Sequence, residues 1–364
     1  MSLVSNILKR DKELFFNDLD SECKNFITTS DINLVADFTE YNPLHNGHFH
    51  CMKTAKHMFP DSLFVAIVPG LFERSGRGIP YILPREIRAE IAISVGADIV
   101  VEGPPMGIMG SGQYSLCLCK MFKALNTNYI PRGYKPIEGF DEILKRINMG
   151  HHIAPKPYKI IDKTTNEIIL RDKLEEDNYV ITSFSNSLSK IGFDYTNKFI
   201  FVKRIEGVSG TLIRESILND NFDDVLDMMP PKTIEVLKRE IKNDYIIYGI
   251  RDVESILDTA NNYSLEELSA LNLFNDKLAK NIVDNGPYDN LDQLEKSILH
   301  GFSSHFHQRV LSILENPIPK KSISLYIDKY PSNIRVLGYK DEETLEKFIK
   351  KVNNENISLF NGLK

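Results

Sequence analysis

From residue 32 to about residue 220, short apolar runs alternate with stretches in which apolar residues recur every three or four positions. The run Ile32-Asn33-Leu34-Val35-Ala36-Asp37-Phe38 reads as a buried strand, as do 63–68 and 98–102, with shorter candidates at 129–130 and 199–202. Helical periodicity falls between them, at 49–58, 84–95, 113–125 and 138–148. This alternation predicts an α/β fold with a parallel sheet and right-handed crossovers, whose ligands gather at the carboxyl ends of the strands. The segment 151–178 is richer in Lys, Pro and polar residues, and the turn Lys163-Thr164-Thr165-Asn166 between two β-type runs predicts a hairpin insertion. Beyond residue 220 the pattern is helical as far as Pro317 and Pro319, and the tail reads as a strand at 333–338 followed by a helix at 341–352. The expected organisation is an N-terminal extension (1–30), an α/β domain (31–220), a helical domain (221–319) and a strand–helix segment (320–364).

Composition narrows the class. With 364 residues, two or three domains are expected; 42% hydrophobic and 26% charged residues describe an ordinary globular chain. No apolar run approaches the roughly 20 residues of a membrane span, and the charged opening 1–20 does not read as a signal peptide. Cys23, Cys51, Cys117 and Cys119 have neither a disulfide framework nor paired metal-ligand spacing, so buried thiols and a cytoplasmic setting are the default. A net charge of −6 excludes a surface coated in positive charge but not a local basic patch.

The candidate chemistry lies where the first strand ends. Glu40-Tyr41-Asn42-Pro43-Leu44-His45-Asn46-Gly47-His48 turns from that strand into a helix. A helix start offers unpaired N–H groups and a positive dipole end to an anion. Gly47 leaves room for backbone approach, and His45 and His48 can both donate to a phosphate whose charge grows in the transition state. A second motif, Ser209-Gly210-Thr211-Leu212-Ile213-Arg214, has hydroxyls suited to capping or phosphate contact, and a guanidinium with the reach for outer phosphates. His151-His152 and His305-x-His307 lack the Cys or carboxylate partners of a tetrahedral site, so no protein-bound metal is expected; a Mg2+ ion would arrive on the phosphates of a ligand.

Together the two motifs resemble the nucleotidyltransferase superfamily with the His-x-Gly-His signature. Within it, the chain resembles the bacterial tRNA(Met) cytidine acetate ligase family. The opening motif differs from that family's only at Leu44, and further likeness runs through Gly96–Pro104, Ser111-Gly112-Gln113-Tyr114, Ser185-Asn186-Ser187-Leu188, Lys203-Arg204-Ile205 and Ile334-Arg335-Val336-Leu337-Gly338-Tyr339. The resemblance implies a Rossmann-like nucleotidyltransferase sheet with a C-terminal helical region. It implies a reaction in which acetate and ATP give acetyl-adenylate and the acetyl group passes to N4 of a tRNA cytidine. The nucleotide site it implies comprises Glu40, Tyr41, Asn42, Pro43, Gly47, Gly133, Asn186, Arg204, Ser209, Thr211 and Arg214, with His45 and His48 catalytic. On residues alone, Asn186 reads as a turn residue and Arg204 as a salt-bridged strand end.

Two segments depart from the family pattern. The loop 69–80 has Glu73 where the family has Gln, which bears on acyl or acceptor choice. The stretch 300–309 keeps Arg309 but has histidines in place of several fixed cations. A tRNA acceptor is expected near Arg309, Lys320 and Lys321, with His300, His305 and His307 adding charge as pH falls toward about 6. Two rivals stay open: transfer of a nucleotide to a small phosphorylated metabolite, and a non-catalytic RNA-binding relative.

Overall fold

The computed structural model describes every residue except Met1, 22–30, 299–302, 353–356 and 361–364. Along the chain its elements are α1 (Leu3–Asp20), β1 (Leu34–Phe38), α2 (Asn46–Met58), β2 (Leu63–Pro69), α3 (Arg85–Ser94), β3 (Ile99–Gly103), α4 (Ser111–Ala124), β4 (Ile130–Tyr134) and α5 (Phe140–Asn148). Next come β5 (Ile153–Lys156), β6 (Lys159–Asp162), β7 (Glu167–Leu170), α6 (Glu176–Lys190), β8 (Phe199–Lys203) and α7 (Gly210–Leu218). A helical stretch comprises α8 (Pro231–Lys242), α9 (Val253–Asn262), α10 (Leu265–Ala270), α11 (Asp276–Asn285), α12 (Leu291–Ser297), α13 (Ser304–Glu315) and α14 (Lys320–Lys329). The last elements are β9 (Ile334–Tyr339), α15 (Glu342–Val352) and β10 (Ile357–Leu359).

The main sheet runs β1-β2-β3-β9-β10, and a parallel β4-β8 pair extends it on the other side of β1 through the Val35–Tyr129 bridge. The strands are parallel except at the β3–β9 junction, which is antiparallel. All five residues of the central β1 are buried, and alternate ones point to opposite faces. Leu34, Ala36 and Phe38 join one core with α1, α4, α6 and the helices α9 to α14, whereas Val35 joins a second core with α2, α3, α7 and α8. The sheet is therefore covered on both faces, as the near-continuous apolar strands require. The hairpin insertion forms as the antiparallel strands β5-β6-β7.

Three features depart from the sequence expectation. The segment 1–30, set apart as an irregular or helical extension, contributes α1 to the core: its Val4, Leu8 and Phe15 are buried in the first core and its Asp11 is fully buried. The tail strand β9 lies inside the main sheet rather than beside a separate helical unit. Helix α6, rich in Ser and Thr, has no clear counterpart in the periodicity, because those residues favour caps and turns as readily as helix.

Behind the loop that follows β2 lies a network of buried ion pairs. Arg85 pairs with Asp11 at 2.6 Å, Glu73 at 2.8 Å and Glu102 at 2.6 Å, and Arg88 adds a second contact to Glu73 at 3.0 Å. Arg335 of β9 bonds Glu102 and reaches Asp18 of α1 at 2.9 Å. Arg74 pairs with Glu315 of α13 at 2.6 Å. Glu73 is thus a buried counter-ion for two arginines, not a group facing the ligand.

Candidate active site

The expected motif forms a strand–turn–helix. Helix α2 starts at Asn46, three residues before the expected position, because His45 caps it. The His45 Nδ1 accepts from the Gly47 N–H at 3.1 Å, and the His48 Nδ1 accepts from the His45 N–H at 3.4 Å. With both Nδ1 atoms accepting, each neutral ring carries its proton on Nε2, the atom left for a ligand. The two rings stack with centroids 3.8 Å apart. A Cβ on Gly47 would lie 3.0 Å from the His45 ring, so this glycine makes room for the capping imidazole as well as for a ligand.

Burial, followed by the nearby Arg204 and Arg214, depresses the His45 pKa to about 4. His48 is pushed well below its ordinary value, first by burial and then by His45, Arg132 and Arg204. Both rings are therefore neutral at pH 7 in the unliganded protein. A polyanion between them and the arginines opposes these effects and favours protonation.

The second motif comes to meet the first. Ser209 caps α7 through the Leu212 N–H, and a Cβ at Gly210 would sit 3.4 Å from the His45 ring. Arg214 is buried; its Nη1 donates to the Asn42 carbonyl at 2.5 Å and its Nη2 to Thr211 Oγ1 at 3.0 Å. The amino ends of α2 and α7 thus converge on one cavity of ≈ 450 Å³ at the carboxyl ends of β1, β4 and β8.

Of the nucleotide-site residues expected from sequence, Glu40, Asn42, His45, Gly47, His48, Gly133, Arg204, Ser209, Thr211 and Arg214 line this cavity. Three do not. Tyr41 is buried behind His48, edge-on at 5.4 Å, and Pro43 lies in the turn behind the lining. Asn186 meets His152 Nε2 at 2.9 Å, away from the cavity. Glu40 accepts from the Gly76 N–H at 2.7 Å, tying the loop after β2 to the site, and burial raises its carboxyl pKa. Arg204 pairs with Asp177 at 2.7 Å, as a salt-bridged strand end would.

The loop 69–80, already expected beside the site, supplies part of the lining, and other parts went unnoticed in sequence. Ser75, Gly76 and Arg77 come from the loop after β2, and 175–177 from the start of α6. Arg77 bonds Glu176 across the mouth, and Lys135 pairs with Glu175 at 2.6 Å. Asp37 and Arg132 also line it; Asp37, a charge inside an otherwise apolar strand, carried a signal, whereas Arg132 lies between Pro131 and Gly133, beyond the strand expected at 129–130.

The expected RNA-contact residues are not gathered at one spot by any bond. Arg309 lies on α13, against Gly78 of the loop after β2, and its Nε donates to the His305 carbonyl. Lys320 donates to the Ser269 carbonyl at 2.6 Å, and Lys321 is exposed. His300 lies outside the described residues. Burial, then Arg77, lowers the pKa of His305, so it takes up a proton at lower pH than an unperturbed imidazole.

Two capped helices delivering stacked imidazoles and an arginine to the carboxyl edge of a parallel sheet define the class: an α/β protein built to hold a nucleotide-type phosphate chain. The chain belongs to the HIGH nucleotidyltransferase family: residues 32–130 match HIGH Nucleotidyl Transferase, and residues 135–338 match its Cytidyltransferase-related C-terminal region. A Methanocaldococcus jannaschii protein described as uncharacterized is 47% identical over 312 residues, 84% of this chain and 85% of that one. The tRNA(Met) cytidine acetate ligase of Clostridium perfringens is 24% identical over 376 residues, covering 91% and 90%. Among solved structures, Thermotoga maritima TmcAL bound with alpha-thio ATP superposes with a TM-score of 0.73 at 19% identity, covering 90% of this chain and 85% of that one. The resemblance read from the motifs therefore extends along nearly the whole chain, and the fold is shared.

Proposed function

We propose that this chain is an ATP-dependent ligase that joins a small carboxylic acid, acetate in the first instance, to AMP and passes the acyl group to N4 of a tRNA cytidine. The observation that carries the reading is the convergence of the α2 and α7 amino ends on one cavity, with His45 and His48 between them. The similarity to proteins named tRNA(Met) cytidine acetate ligase supports the choice of acid and acceptor.

In this reading the triphosphate lies along the two helix ends, its outer phosphates toward Arg214 and the α-phosphate facing the Nε2 atoms of His45 and His48. A carboxylate oxygen attacks the α-phosphorus, the bond to the bridging oxygen breaks, and pyrophosphate leaves with that electron pair. The imidazoles donate to the phosphoryl oxygens as charge builds on them, and Arg214 holds the leaving group. Among the described residues no three His, Cys, Asp or Glu side chains gather to hold a metal, and the carboxylates facing the cavity are already engaged. A Mg2+ ion carried on the phosphates would supply charge neutralisation there. The acceptor tRNA would approach across α13 near Arg309, with Lys320 and Lys321 as outlying cations.

The test is pyrophosphate release from ATP with acetate, followed by mass spectrometry of nucleosides from tRNA incubated with the enzyme. Acetate-dependent release and an N4-acetylcytidine peak are expected. Release driven by a phosphorylated metabolite and indifferent to acetate would replace this reading with transfer of a nucleotide to that metabolite. Nucleotide binding with no turnover of any kind would leave a non-catalytic relative.

A further inference from the structure

Arg132 lies in β4 at the point where the strand leaves the core, and its bonds leave it half used. Its side chain is 13% exposed, and the guanidinium lies 5.7 Å from the Phe38 ring and 5.4 Å from the Phe184 ring. Its Nη1 donates to the Phe38 carbonyl at 2.6 Å and to Asp37 Oδ1 at 3.2 Å. Among the described residues nothing accepts from Nε, which is buried, or from Nη2. The Nε–Nη2 edge is the part of a guanidinium that matches the two oxygens of a carboxylate side by side. That edge belongs to a residue lining the cavity.

Its place relative to the histidines gives the edge a direction. Arg214 lies close to His45, through Gly210. Cys51, one turn along α2 from His48, meets the Gly133 backbone next to Arg132, and the charge of Arg132 bears on His48. The order along the stacked pair is therefore Arg214, His45, His48, Arg132. An in-line displacement at the α-phosphorus needs its nucleophile on the side opposite the leaving pyrophosphate. With the outer phosphates at the Arg214 end, the Arg132 end is where a nucleophile belongs.

We infer that Arg132 is the carboxylate anchor of this site, holding a small carboxylic acid bidentately so that one oxygen faces the α-phosphorus from the side opposite Arg214. The inference rests on the acyl-adenylate reading proposed above. The step balances as written there: one carboxylate O–P bond forms, the bond to the bridging oxygen breaks, and no oxidant or reductant is needed. The ring faces of Phe38 and Phe184 hold the guanidinium plane fixed, which limits the entropy lost when the acid binds.

The test compares wild type, Arg132→Lys and Arg132→Gln in pyrophosphate release, varying acetate and ATP separately, with ATP affinity measured by calorimetry. Arg132→Lys keeps the charge but loses the fork; Arg132→Gln loses both. The KM for acetate should rise about tenfold in the lysine variant and further in the glutamine variant, as expected for loss of a charge-assisted pair. ATP affinity should stay within about twofold, which also certifies the fold of each variant. An unchanged acetate KM, or acetate KM and ATP affinity failing together, overturns the anchor while leaving the ligase reading in place. If wild type releases no pyrophosphate with acetate or any acid of a small panel, the ligase reading itself falls, and the anchor with it.

Discussion

The protein holds two concentrations of buried charge that differ in kind. Behind the loop after β2, Arg85 has three carboxylate partners, Glu73 has two arginines, and Glu102 is shared between Arg85 and Arg335. At the cavity, the Arg132 Nε has no partner among the described residues, and the Nε2 atoms of His45 and His48 remain for a ligand. Buried charge is costly unless paired, so a closed network ties segments together, whereas unfilled donors mark where a ligand completes the pairing. The rear network clamps α1, α3, β3 and β9 behind the loop; the front donors wait at its other face.

The sharpest way to break this contrast is to exchange functions at the front. His45→Asn combined with His48→Gln retains side chains that can accept from the local backbone N–H groups but removes both imidazole donors. Pyrophosphate release should fall by at least about 10²–10³, the loss typical of one positioned transition-state donor. The unfolding free energy should move little, because Asn is itself a good cap. A wild-type rate in that double variant would remove the histidines from the chemistry.

At the rear the expectation reverses. Asp11 is fully buried and bonds Arg85 twice and the Phe72 N–H. Asp11→Ala leaves that guanidinium short of a counter-ion and should cost about 3–5 kcal/mol of stability in urea unfolding. Below the new melting temperature kcat should stay near wild type. A stable but inactive Asp11→Ala would mean that α1 belongs to the site rather than to its support.

The smallest effect joins the two regions through one carboxyl. Burial raises the Asp37 pKa to about 7, with Arg132 opposing that rise. Asp37 faces Arg132 from β4, Cys51 from α2 and Tyr41 from the turn. Below about pH 7 its carboxyl is neutral and leaves the Arg132 charge to an incoming acid; above it, the ionised carboxylate competes. The acetate KM should therefore rise as pH increases through about 7, and Asp37→Asn should flatten that rise. A slope that persists in Asp37→Asn assigns the titration to another group.

Much of the front was legible in the sequence because its elements are contiguous: strand, turn, capped helix, and again Ser209 to Arg214. Each motif carries its own local physics of caps and glycines, and ten of the thirteen residues expected at the nucleotide site line the cavity. The rear was not legible. Asp11 and Glu73 look like solvated charges when read along the chain, Glu102 and Arg335 lie in expected strands without a visible partner, and only tertiary packing brings the four together. Asn186 sits on a helix the periodicity did not reveal, and its side chain turns to His152. Asp37 carried a signal, a charge within an apolar strand, whose meaning appears only when β4 is set beside β1; Arg132, between Pro131 and Gly133, carried none.

The position of β9 also bears on how the molecule is made. β3 has β2 on one side and β9 on the other, and Arg335 neutralises Glu102 from across that second junction. During synthesis β1, β2 and β3 emerge early, but the strand that closes the third one emerges only after the whole helical stretch. At about 5–20 residues per second the interval lasts on the order of 10–50 s. Throughout it, the Ile99-Val100-Val101 edge is open to other chains. A nascent chain of this protein therefore carries an adhesive sheet margin until β9 has emerged, and its folding yield depends on shielding that margin as well as on the stability of the finished sheet.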